Sequence, residues 1–131
     1  MPILVALDKK SLRSERIVKF AINEAKLRKE KIHFVHSLFG KDKTKEEEII
    51  NGERLLDWAL EMAKKSGVEC EKHLLVRGKE PAEDIVEFAN EIGATMIVIG
   101  IRKRSPVGKV LFGSVAQEII LKAEQPVVCI K

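Results

Sequence analysis

Tyrosine is missing from this chain and tryptophan occurs once, beside five phenylalanines. That leaves no surface of interleaved basic and aromatic residues on which single-stranded nucleic acid stacks. The net charge of +4 is mild for 131 residues, so charge alone does not point to a nucleic-acid partner either. No apolar run approaches the roughly 20 residues that a membrane span needs. Met1-Pro2-Ile3-Leu4-Val5 has no charged region before its apolar stretch and reads as a first strand, not a signal peptide. Only Cys70 and Cys129 carry thiols. Two such residues make no metal or redox pair and read as buried thiols of a cytoplasmic protein. No internal repeat or low-complexity linker divides the chain, so residues 1–131 are expected to form one domain. At 45% hydrophobic and 34% charged residues, that domain has enough apolar side chains for a sizeable core.

The apolar runs that are present alternate between two kinds. Short β-branched runs at Ile3–Leu7, Ile32–Leu38, His73–Val76 with its flanks, Thr95–Ile99 and Val127–Ile130 read as buried strands. Between them lie runs with helical spacing. Ile17, Val18, Ala21, Ile22 and Ala25 share one face, and Ile49, Gly52, Leu56, Ala59 and Ala63 share another. Ala82, Ile85, Val86 and Ala89 form a third face, and Val115, Ala116, Ile119, Ile120 and Ala123 a fourth. Gly67 and Gly93 close the second and third helices, and Pro81 opens the third, where its missing N–H costs nothing. Pro126 stands just before the last strand. The order βαβαβαβαβ predicts an α/β fold with a parallel sheet and helices on both faces. Ligands of such sheets bind beyond the carboxyl ends of the strands, where the winding reverses.

One connection is much longer than the others. Ile101–Phe112 follows the fourth strand, and connections of that length are usually functional or mobile. Gly113 precedes a helix and allows close approach of a ligand to the backbone. Ser114 is placed to be the N-cap, and the free amides of a first helical turn suit an anion. Arg102, Lys103, Arg104 and Lys109 stand in the same segment. Phosphate binding is the chemistry suited to this place. The same residues read equally well as a capped helix behind a solvated loop. The segment is not a Walker A loop, because no glycine lies five residues before Gly108-Lys109 and Val110 replaces the required hydroxyl residue.

The chain resembles the universal stress proteins along its whole length. Their signature is Gly, two residues, Gly, nine residues, Gly, then Ser or Thr, and Gly100, Gly113 and Ser114 fall in register with it. Lys103 stands where the second glycine belongs. Asp8 at the end of the first strand, Gly78 shortly before Pro81, and a Pro126-Val127-Val128 last strand also look like that family. The resemblance implies a three-layer, doubly wound, open five-stranded sheet of order 3-2-1-4-5, the adenine nucleotide alpha hydrolase-like fold. It puts Asp8 and the Gly100–Ser114 segment on opposite walls of one crevice between strands one and four. In the ATP-binding members the corresponding positions meet the nucleotide. Here these are Ala6, Leu7 and Asp8, with Ser37, on one wall, and Ile99, Gly100, Gly113, Ser114, Val115 and Ala116 on the other. Asp8 is in reach of a Mg²⁺ that bridges phosphates.

The implied function is a regulatory, stress-response domain that binds ATP, AMP or another adenine nucleotide. The alternative is a nucleotide-free interaction module whose loop has drifted. Lys103 divides the two: a side chain there obstructs a phosphate approaching the backbone, yet with Arg102 and Arg104 it supplies cations that grip phosphates directly. A homodimer is implied as well, paired through the last strand, whose apolar edge wants a partner.

Read on their own, the other candidates carry less. A strand-end Asp8 equally caps the Lys9-Lys10-Ser11 turn. His33, His36 and His73 have no spacing that pairs them as metal ligands and read as structural. Trp58 reads as core, and Lys41–Glu48 as a solvated approach to the second helix. Nothing places a base beside Ser105, Ser114 or Cys129, so enzymatic activity is expected to be at most that of a slow ATPase.

Overall fold

A computed structural model describes residues 1–40, 42, 44–102 and 112–131. Five strands alternate with four helices: β1 Ile3–Ala6, α1 Leu12–Arg28, β2 Ile32–Leu38, α2 Glu46–Lys65, β3 Cys70–Val76, α3 Pro81–Glu91, β4 Met96–Gly100, α4 Ser114–Lys122 and β5 Val127–Ile130. The strands form one parallel sheet of order β3-β2-β1-β4-β5. This is the topology that the resemblance implies. Central β1 is buried on both faces, and its continuous apolar run reflects that.

Alternate residues of each strand feed two cores. Ile3, Val5, Ile32 and Phe34 pack beneath α1 and α2, whereas Leu4, Val35, Ile97 and Ile99 pack beneath α3 and α4. The helix after β1 and the helix after β4 therefore lie on opposite faces of neighbouring strands. Their connections diverge at the carboxyl ends of β1 and β4 and open a crevice there. Among the described residues no helix is long and apolar enough to cross a membrane.

Several local expectations need correction. β1 stops at Ala6, although the Leu7 amide still donates to the Val35 carbonyl at 2.9 Å. β3 starts at Cys70, because Ile32 through Leu38 offer it a full-length neighbour. β4 runs from Met96 to Gly100, not from Thr95 to Ile99; Gly100 pairs with Ile130. Ile49, Val115 and Ile120 were expected on core faces, yet each is exposed by more than a third. Leu55 and Phe88 are buried instead. The α1 stripe is buried as expected; in α2 and α4 the exposed positions stand near the helix ends, and Leu55 and Phe88 widen the buried faces of α2 and α3. Cys70, Cys129 and Trp58 are half-buried rather than enclosed. Gly67 and Gly93 do follow their helices, with φ of 77° and 65°, the left-handed turn that closes a helix.

α1 has the best-defined start. Ser11 accepts from the Ser14 amide at 3.2 Å, and the Ser11 amide donates to Ser14 Oγ at 2.7 Å. This reciprocal cap fixes the direction in which α1 leaves the crevice. α3 is held differently. Asp84 is fully buried, and Arg77, just beyond β3, donates from Nε to Asp84 Oδ1 at 2.6 Å and from Nη1 to Glu91 at 3.0 and 3.1 Å. The guanidinium also lies 5.7 Å from the centroid of Phe88. Neighbouring carboxylates raise the Arg77 pKa above its ordinary value, the hydrogen bond to Asp84 foremost. A buried carboxylate thus has its cation, and the end of β3 is tied to two turns of α3.

Candidate functional site

The crevice holds a cavity of about 290 Å³, at the small end of the range for ligand clefts. One wall is Ala6, Leu7 and Asp8 at the end of β1, with Ser37 of β2. The facing wall is Ile99, Gly100 and Arg102, then Gly113, Ser114, Val115 and Ala116 at the start of α4. These residues, some separated by more than a hundred positions, line one cavity. Lys103 lies outside the described residues, as does everything in the range 103–111.

The start of α4 differs from expectation. Gly113, not Ser114, is the N-cap, with φ of −67° and ψ of 160°, and no side chain caps the helix. Ser114 is instead the first helical residue. The correction favours ligand binding. The amides of a first turn have no carbonyl partner within the helix, and here no cap side chain covers them. The residues that carry them, Ser114, Val115 and Ala116, line the cavity at the positive end of the helix dipole.

Gly100 has a steric reason to be glycine. A Cβ at this position would lie 2.8 Å from Arg13 Cδ and 2.9 Å from Ile17 Cδ1. The Arg13 side chain therefore crosses the bare backbone of residue 100 and lines the cavity. Its Nε is buried and, among the described residues, has no hydrogen-bond partner. Leaving a buried donor of this kind unsatisfied costs about 1–3 kcal/mol. A group that supplies an acceptor at this point would recover that cost.

Sequence reasoning missed Arg13. One signal was available: it stands in the first turn of α1, where the helix dipole disfavours a cation. Lys9 lines the same cavity, so Lys9, Arg13 and Arg102 face one described carboxylate, Asp8. The surplus is positive and suits an anion. Asp8 itself is exposed. His36 also lines the cavity, and its Nδ1 lies 2.8 Å from the Leu7 carbonyl oxygen. A carbonyl only accepts, so Nδ1 is the donor in this contact. Ser37 is buried and makes a long 3.5 Å contact to Asp84. Pro81 and Ile85 of α3 add apolar lining. A cavity with an apolar floor, one carboxylate and a cationic end suits a ligand with a flat apolar part, hydroxyls and an anionic tail.

Comparison with known proteins agrees with this architecture. The sequence model of the universal stress protein family matches residues 1–131. The chain belongs to the universal stress protein family. A solved structure of a universal stress protein from Archaeoglobus fulgidus is 59% identical, with a TM-score of 0.95 over 100% of this chain and 98% of that one. A second, the universal stress protein from Archaeoglobus fulgidus in complex with dAMP, is 54% identical, with a TM-score of 0.90 and the same coverage. A curated universal stress protein from Mycolicibacterium smegmatis is 43% identical over 54 residues, which are 41% of this chain and 42% of that protein. The matches to curated relatives span 31% to 53% of those proteins. Likeness to the solved universal stress proteins, by contrast, runs from end to end of this chain.

The histidines are the other departure from the sequence reading. His33 of β2 and His73 of β3 read as structural histidines that no spacing pairs, yet His33 Nδ1 lies 2.8 Å from His73 Nε2. Burial lowers the pKa of both below the ordinary imidazole value, and for His33 the charge of His73 lowers it further. Parallel pairing places His33 opposite Glu71 and His73 two residues on, so all three side chains project from the α3 face.

Proposed function

We propose that this universal stress protein domain binds an adenine nucleotide in the crevice between β1 and β4 and serves as a ligand-responsive regulatory domain. The observation that carries the reading is the convergence, in one cavity, of uncapped α4 amides, the bare Gly100 backbone and the unpartnered Nε of Arg13. The nucleoside rests against Ala6, Leu7, Asp8 and Ser37. The phosphate end meets Ile99, Gly100, Gly113, Ser114, Val115 and Ala116, with Arg13 and Arg102 as cations. The dAMP complex of a relative at 54% identity supports the ligand class. A nucleoside monophosphate such as AMP has a part for each wall. ATP extends the phosphates beyond this point, where a Mg²⁺ held through phosphates would come within reach of Asp8.

Equilibrium dialysis against AMP, ADP and ATP, with and without Mg²⁺, tests this. Saturable binding of at least one of them is expected; no binding at millimolar nucleotide rules it out. Lys103 at the motif glycine favours a second reading, a nucleotide-free interaction module. Under that reading Lys103→Gly creates binding that the parent lacks.

We also propose that two copies pair through β5. Its four residues, all apolar, are half-buried in the isolated chain, and among the described residues only one side of the strand is paired. Sedimentation at micromolar concentration is expected to give a dimer; a monomer refutes the pairing.

A further inference from the structure

We propose that His33, His73 and Glu71 form a binding site for a divalent transition-metal ion of the zinc class, at the β2–β3 edge of the sheet. One ligand atom from each of the three side chains can be chosen so that all lie within 4.8 Å of one another. The site is separate from the crevice. His33 is near the amino end of β2, whereas the crevice opens at the carboxyl ends of the strands, at His36 and Ser37.

The two rings are aimed at each other. Their planes are within 12° and their centroids 5.0 Å apart, while the facing nitrogens are separated by 2.8 Å. Those distances fit together only if each facing nitrogen lies close to the line between the centroids. The rings therefore meet edge to edge, sharing one proton between two lone pairs. A metal ion takes the place of that proton, and the ring that carried it changes tautomer and holds the proton on its other nitrogen. Zinc takes imidazole nitrogens at about 2.0 Å in a tetrahedral arrangement, which sets them roughly 3.3 Å apart. The rings must part by about half an ångström to admit it. His73 is half-buried on an edge strand and has the room to move, whereas His33 is 8% exposed and held in the core.

The surroundings fix the site on both sides. Phe88 of α3 packs against both rings, at centroid distances of 6.3 Å from His33 and 4.7 Å from His73. It limits the directions in which either ring can turn. Glu71 is exposed and pairs with Lys31. That lysine has a second acidic neighbour, Glu69, at 3.9 Å. Lys31 can pass to Glu69 while Glu71 turns to the ion. Two imidazoles and one carboxylate suit zinc, cobalt, nickel or copper in preference to magnesium or calcium, which take oxygen ligands. Water completes the coordination on the exposed side.

Tag-free protein, stripped with chelator and dialysed against Zn²⁺, tests the proposal. One zinc per chain is expected, with a rise in Tm that chelator reverses. His73→Gln and Glu71→Gln each remove one ligand at a position outside the tightest packing, so both variants keep the fold by circular dichroism. Each should lose the zinc-dependent rise in Tm while its chelated Tm stays near that of the chelated parent. The proposal is overturned if the parent binds no zinc, or if both variants bind it as the parent does. It is also overturned if Co²⁺-loaded protein shows thiolate charge-transfer absorption, which assigns the ion to Cys70 or Cys129.

Discussion

Replacing Arg13 by Met separates the ligand role of this side chain from its packing role. The methionine stem keeps the apolar contact across Gly100 and against Ile17, where Arg13 Cγ and Cδ now lie. Only the guanidinium is lost. Its Nε is buried without a partner among the described residues, so the free protein forfeits no hydrogen bond there and sheds an unsatisfied donor. Unfolding in urea should therefore give the variant a stability equal to the parent's or higher. A phosphate in the cavity would receive a charge-assisted hydrogen bond from Arg13, worth about 1.5–3 kcal/mol. Arg13→Met should then weaken AMP roughly ten- to a hundredfold. Adenosine has no phosphate, and its affinity should not change. Calorimetric titration of both ligands into both proteins measures the ratio directly. Equal losses for AMP and adenosine would mean that Arg13 does not contact the phosphate. A large loss of stability in the free variant would refute the account of Nε as an unsatisfied donor.

Two further expectations concern groups away from the cavity. Arg77→Ala leaves the fully buried Asp84 carboxylate without its cation. Urea denaturation should show a loss of about 3 kcal/mol, the lower end for a broken buried pair because Arg77 itself is partly exposed. Converting Asp84 to Asn in the same chain should return part of that loss, and a single-variant effect below about 1 kcal/mol would contradict the role assigned to the pair. Burial pushes the thiols of Cys70 and Cys129 up from the ordinary range. The ionised form therefore appears only at higher pH, and reaction with a disulfide reagent should still accelerate above pH ~9.5, where a free cysteine of pKa ~8.5 is almost fully ionised and its rate levels off. A rate that levels off at the free-cysteine value would show that the thiols are not desolvated.

Much of the fold was legible because each element announces itself locally. β-branched runs mark the strands, helical spacing marks α1 to α4, and Pro81, Gly67 and Gly93 punctuate them. The sheet order came through the family signature, since neither propensity nor spacing says which strands are neighbours. The errors have a common cause. Ile49, Val115 and Ile120 fit the apolar spacing of their helices, but spacing does not state where a helix overhangs the sheet. Ser114 has the chemistry of an N-cap, yet the chain turns into α4 one residue earlier, at Gly113. Arg13, on α1, was invisible as a ligand group because its role depends on the missing side chain at Gly100 of β4. The His33–His73 contact spans 40 positions. It follows from the register of β2 against β3, and no pattern within either strand encodes that register.

The two borders of the sheet are unlike. At β3, Glu71 and Lys72 put charge on both faces, with Lys72 bonded to Glu53 and Asp57 of α2 and Glu71 to Lys31. β5 has only apolar side chains and no such fence. A stack in which the β3 border of one copy accepts the β5 border of the next would have to break those ion pairs and strip water from their charges. Strand addition is thus directed to a single border. In the proposed β5 pairing two copies would consume that border in each other, so assembly would stop at a closed pair and not grow into a filament.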